Sequence, residues 1–230
     1  MSTASQRLHT AGRVHVPLML ALTFSTGVVD AVGYLGLDRV FTGNMTGNVV
    51  ILGMALVGAD DLPILGPVIA LVGFVLGAAL GGFVLRHRES GWSRRTSGLL
   101  AVVAVVLTAL AVTLLVVPSF PEPLALSVTG VLGAAMGLQA ATARHLAVAD
   151  VTTVVVTSTL TGLAADSVLG NRSGTRQWRR LGAVGLILLG AAAGAALLRW
   201  ELGAGVALSA VITVVVVVVG HVAMRRASAA

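Results

Sequence analysis

The chain has 230 residues, of which 57% are hydrophobic and 10% charged, and its mean hydropathy is +0.98. Nine acids and fifteen bases cannot cover the surface of a 23.2 kDa soluble globule, where about 25% charged residues is usual, so the chain is read as an integral membrane protein. The absence of Cys excludes disulfides, thiolate nucleophiles and Cys-ligated metal, and the net charge of +6 comes from Arg clusters between apolar runs, which mark topology rather than a nucleic-acid partner.

Crossing the hydrocarbon as a helix takes about 20 mostly apolar residues. Six runs meet that requirement: Val16–Leu37, Pro63–Leu85, Gly98–Val117, Leu124–Ala143, Leu181–Leu198 and Leu202–Met224. Pro17 and Pro63 are expected in first helical turns, where a missing N–H costs little. Two further stretches, Val40–Ala59 and Val151–Leu169, are long enough to cross but carry polar residues along much of their length. Irregular backbone at membrane depth survives only when buried in protein or lining a watery cavity, so both are read as re-entrant or broken helices.

Charge separates six crossings from eight. With six crossings and two re-entrant segments, Arg7/Arg13, Arg86–Arg95, Arg144, Arg172–Arg180 and Arg225/Arg226 all fall on the cytoplasmic side, and Asp38, Asp60, Asp61, Glu122 and Glu201 fall outside. Eight crossings, the alternative, would place Arg86–Arg95 outside. The expected fold is therefore an all-α polytopic membrane protein with cytoplasmic termini. It divides into an N-terminal tail (1–15), a first membrane repeat (16–118), a second repeat (119–226) and a C-terminal tail (227–230).

The repeat is suggested by weak self-similarity. Gly27 falls on Gly137, Phe41–Asn48 falls on Val156–Leu163 with identities at Thr42/Thr157, Thr46/Thr161 and Gly47/Gly162, and Gly73-x-x-x-Gly77 falls on Gly190-x-x-x-Gly194. Corresponding loops differ in charge, as expected when two three-crossing halves insert in opposite orientations. Inverted repeats with interrupted helices are a transporter and channel architecture.

Asp30 lies inside the first run, where an ionised carboxylate costs about 2.5–3.5 kcal/mol even on lenient insertion scales. Thr23, Thr26, Asp30 and Tyr34 recur at helical spacing on one face. Three readings stay open at this point: proton or cation handling, an assembly group hydrogen-bonded to Thr or Asn, or a solvated position near a mouth. Asn44, Thr46 and Asn48 offer polar groups that contact a solute, bond between helices or cap a half-helix. In the second half, Gln139 is flanked by apolar residues and is expected to pair with polar groups of the first half. Thr157, Thr159 and Thr161 are the second stretch's counterparts, and Asp166 is read as an interfacial acid near Arg172. Gly73, Gly77, Gly81, Gly190 and Gly194 form small-residue faces for helix packing, within the chain or between protomers of a homo-oligomer.

No nucleotide-binding loop, metalloprotease helix or nucleophile elbow is present, so neither an enzyme nor a cofactor is expected, and no metal site. The leading reading is a small secondary transporter or channel for a small polar solute or ion, with Thr26, Asp30, Tyr34, Asn44, Thr46, Asn48, Gln139, Thr157, Thr159 and Thr161 along its path. The alternative is a non-transporting membrane scaffold or assembly partner.

The blocks Thr26-Gly-Val-Val-Asp30-Ala-Val-Gly-Tyr-Leu35, Val40-Phe-Thr-Gly-Asn44-Met-Thr-Gly-Asn48 and Gly137-Leu-Gln-Ala-Ala, with Arg144 and Thr152–Gly162, resemble the YoaK-like family of bacterial multi-pass membrane proteins, a family without an assigned function. Ala140 departs from the family pattern, in which Asn commonly follows the Gln. The resemblance implies a location in the bacterial cytoplasmic membrane and supplies no substrate.

Overall fold

A computed structural model describes residues 3–117, 121–146, 156–165 and 174–229. Among them are eight α-helices and no strands: α1 (Thr3–Gly36), α2 (Met45–Ala55), α3 (Leu65–Leu85), α4 (Arg94–Val116), α5 (Glu122–Leu146), α6 (Val156–Ala165), α7 (Gly174–Leu197) and α8 (Leu202–Ala229). Six of these, α1, α3, α4, α5, α7 and α8, are long and apolar enough to cross a membrane. At a rise of 1.5 Å per residue, the 11 residues of α2 and the 10 of α6 span only about 16 and 15 Å, half a bilayer.

Two prolines are placed differently from expectation. Pro17 lies inside α1, which begins at Thr3 rather than at the apolar boundary and continues through the tail expected over residues 1–15. Apolar content marks where a helix can enter the membrane, whereas helical hydrogen bonding continues into the polar residues before it. Pro63 precedes α3, whose N-cap is Ile64, and Pro67 occupies the first turn instead.

The long helices pack in the spatial order α7, α1, α8, α4, α5, α3. Close backbone approach fixes their directions. Gly73, Gly77 and Gly81 face Gly130, Ala134 and Leu138 in turn, so α3 and α5 run parallel. Gly190 faces Phe24 and Gly194 faces Val28, so α7 runs parallel to α1. Gly203 meets Ala111 and Leu115 while His221 meets Ser97, so α8 runs antiparallel to α4. The five small-residue positions are thus used inside the chain. Burial decides which helices are central: 61% of the α1 window is buried, against 22% for α3 and 17% for α7, which present apolar surface outward.

These directions determine where the short helices return. The two ends of the segment holding α2 are joined by an ion pair, Arg39 Nη1 to Asp60 Oδ2 at 3.3 Å, so the chain leaves and returns on one face. Because α5 runs parallel to α3 and α7 parallel to α1, the segment holding α6 also begins and ends on one face, the opposite one. The face with the α1 C-terminus carries Asp38, Asp60, Asp61, Glu122 and Glu201. The other carries Arg86, Arg88, Arg94, Arg95, Arg144, Arg225 and Arg226. On this Arg-rich face the Trp92 indole donates to Ser97 Oγ at 2.8 Å, lies against His15, and covers Gly220 of α8, tying α1, α4 and α8 together.

Candidate functional site

The site grows from a sharp reversal after α1. Asp38 and Arg39 take left-handed φ values of 62° and 58°, and the amides of Arg39 and Val40 donate back to the carbonyls of Tyr34 and Gly33. The chain then descends beside α1, with the Phe41 ring stacked on Tyr34 at 5.0 Å between centroids. Asn48 fixes this descent: its Oδ1 accepts from Phe41 N at 2.8 Å and its Nδ2 donates to Phe41 O at 2.6 Å, so one amide replaces both partners of a strand neighbour. A Cβ at Gly47 would come within 2.6 Å of the Phe41 ring, which explains the small residue there.

At the bottom of the descent the chain turns into α2, whose first N–H groups need acceptors. Asn44 is the N-cap, its side chain accepting from Gly47 N at 3.3 Å. Asp30 holds the three residues that lead into the helix. Its Oδ1 accepts from the backbone N–H of Thr42 (3.0 Å), Gly43 (2.7 Å) and Asn44 (3.3 Å). A carboxylate facing three N–H groups at a helix N-terminus is stabilised by both the bonds and the helix dipole, which offsets the cost of carrying it on a membrane helix. The tip approaches α1 closely: a Cβ on Gly43 would lie 2.9 Å from Thr26 Cγ2, 3.4 Å from Asp30 Oδ1 and 3.5 Å from Met136 Cε of α5. Asp30 and Thr26 precede the end of α1 by six and ten residues, so the tip reaches about 9–15 Å below that end.

Gln139 of α5 completes the group. It is fully buried, and its Nε2 donates to Thr26 Oγ1 at 3.4 Å, while Thr26 donates to Leu22 O at 3.0 Å. Gln139 Oε1 and Thr42 Oγ1 are buried without a hydrogen-bond partner. On the other side of α1, Ser209 of α8 donates to Ser25 O at 3.3 Å.

The structure therefore brings Thr26, Asp30 and Gln139 together with the tip that ends in Asn44, where α1 and α5 meet the chain leading into α2; Asn48 holds the descent to that tip through Phe41, and α2 itself packs on α3. Tyr34 and Thr46 lie at the exposed rim of this junction. Thr157, Thr159 and Thr161 are not at that junction: α6 packs on α7, with Thr159 buried and Thr157 and Thr161 exposed. Asp150, Asp166 and Arg172 lie outside the described residues. Reading the sequence missed the chief partners of Asp30, because they are backbone N–H groups of Thr42–Asn44; the one available signal was Gly43, a residue small enough for close approach to α1.

A family profile described as a protein of unknown function, DUF1275, matches residues 18–219. The chain belongs to that family. Among its relatives is the UPF0700 transmembrane protein YoaK of Bacillus subtilis (strain 168), 30% identical over 158 residues, which are 68% of this chain and 69% of the relative. No solved structure matches. The DUF1275 match runs from α1 into α8 and so contains the whole junction of Asp30, Thr42 and Gln139. Like the YoaK relative, whose name calls it transmembrane, the chain is a multi-pass membrane protein in contact with the lipid bilayer.

Proposed function

We propose that the chain is a small secondary transporter or channel for a small polar solute, with Asp30 as its coupling or selectivity acid. The observation that carries this reading is the tip Thr42–Asn44, irregular backbone seated by a carboxylate at membrane depth. Backbone of that kind is tolerated where protein or a watery cavity satisfies it, and half-helix ends at the solute site are how secondary transporters are built.

Two further observations support an inverted repeat. The order α7, α1, α8, α4, α5, α3 reads the same from either end once α1 is exchanged with α5, α3 with α7 and α4 with α8. Contacts also pair the halves position by position: Gly77 faces the Ala134 carbonyl as Gly190 faces the Phe24 carbonyl, and Gly81 faces Leu138 as Gly194 faces Val28. On this matching, the counterpart of Gly190-x-x-x-Gly194 is Gly77-x-x-x-Gly81, one helical turn beyond the match suggested by sequence alone. The scaffold reading loses its main feature, since the glycine faces are occupied within the chain. The Arg-rich face is assigned to the cytoplasm of a bacterial inner membrane, with both termini on that side. No catalytic step is assigned.

Flux into liposomes holding the purified chain tests this reading, with a panel of small neutral and charged solutes and with imposed proton and sodium gradients. The expected result is gradient-dependent uptake of at least one solute class, abolished by Asp30→Asn. No uptake across the panel, together with stoichiometric co-purification of another membrane protein, would replace the transport reading with the scaffold one.

A further inference from the structure

We propose that the junction of α1, α5 and the tip Thr42–Asn44 binds a small monovalent cation of the sodium class, through Asp30 Oδ2, Thr42 Oγ1 and Gln139 Oε1. The proposal deepens the transport reading by naming an ion for Asp30, and it is measured as binding, without transport.

The tip does not suit an anion. The N-terminus of a half-helix ordinarily attracts one, but here the N–H groups of Thr42, Gly43 and Asn44 already point at Asp30 Oδ1. A second anion would meet the carboxylate itself. All three bonds go to Oδ1, and Oδ2 takes no hydrogen bond among the described residues, which leaves one carboxylate oxygen available.

Two buried oxygens complete the ligand set. Thr42 and Gln139 are fully buried, and each keeps one polar atom without a partner. For Gln139 the orientation of the amide is set by its neighbour. Thr26 gives its only hydroxyl hydrogen to Leu22 O and can only accept from Gln139, so nitrogen faces Thr26 and oxygen is the atom left over. Both residues are tied to the acid: Thr42 donates its N–H to Asp30, and Gly43 beside it touches Thr26, the partner of Gln139.

The donors set the charge of the ion. The donor set is all oxygen, which suits a hard cation. A single carboxylate neutralises a single charge, and calcium or magnesium sites generally draw on several carboxylates or waters. Among the described residues no three His, Asp or Glu side chains converge. An ordered water would satisfy the same two orphaned atoms but would not distinguish one salt from another.

The test is thermal unfolding of the full chain in detergent, with sodium chloride titrated against choline chloride at constant ionic strength, and with lithium and potassium chloride as further arms. The wild-type Tm should rise with sodium, by about 3–6 °C once sodium exceeds its Kd tenfold and logarithmically beyond that. Thr42→Val, an isostere that removes an unpartnered hydroxyl, should match or exceed wild-type stability in choline and lose the sodium-dependent rise. Gln139→Leu should lose it too; if that variant does not fold, Thr42→Val decides alone. Equal wild-type Tm values in sodium and choline, or a Thr42→Val protein that keeps the full rise, would overturn the proposal. A sodium-dependent Tm without any liposome flux upholds the site and removes the transport reading; flux without a sodium-dependent Tm does the reverse.

Discussion

Asp30→Leu is expected to unseat α2 and to be the most damaging single change at the junction. It leaves the N–H groups of Thr42, Gly43 and Asn44 without their acceptor, at about 1–3 kcal/mol for each donor that finds no replacement. Asp30→Asn keeps an Oδ1 that can accept from the same donors but loses the charge that makes such bonds roughly twice as strong. Measured as Tm in detergent without sodium, the order should be wild type, then Asn, then Leu. An Asp30→Leu protein as stable as wild type would show that the seat of α2 is held by something else.

Gly77→Ala and Gly190→Ala should each weaken the fold at the far ends of the bundle order. A Cβ at Gly77 overlaps the carbonyl oxygen of Ala134, and one at Gly190 overlaps that of Phe24. Backbone cannot yield as a side-chain tip can, so the helices must separate, losing close contact along both faces. The expected loss is about 1–3 kcal/mol at each site, the usual scale of overpacking. Gly82→Ala is the control: nothing lies within 4 Å of its Cβ position, and better helix propensity should make it neutral or up to about 1 kcal/mol more stable. Losses of similar size at Gly77 and Gly190 would agree with equivalent use of the two halves, whereas tolerance at either would contradict the close approach there.

The parts of this fold that were legible in the sequence are those in which one signal accumulates over many residues. Hydropathy summed over some twenty positions located six long helices, and Arg placement separated the two faces. What depends on a single register was not legible. Small residues every fourth position allow close packing at any of several registers, so the spacing of the glycines of α3 and α7 does not say which residue of α5 or α1 each one meets. The junction was half visible. Asp30 stands out by its cost in an apolar run, and Gln139 by its flanks, and the expected pairing of Gln139 with the first half is met at Thr26; the seating of Asp30 depends on backbone N–H groups, which no residue type announces. The Thr-rich second stretch resembled the first in composition, yet α6 lies against α7 and its threonines do not reach the junction.

The segment holding α2 leaves and returns on one face, which leaves six crossings. The chain has no Cys, so single Cys residues can be introduced on a clean background at positions 38, 61, 94, 122 and 176. With an impermeant maleimide on intact cells, positions 38, 61 and 122 should react, and positions 94 and 176 should react only after permeabilisation. Reaction at 38 but not at 61, with 94 accessible from outside, would mean that the segment containing α2 crosses the membrane and would contradict the account.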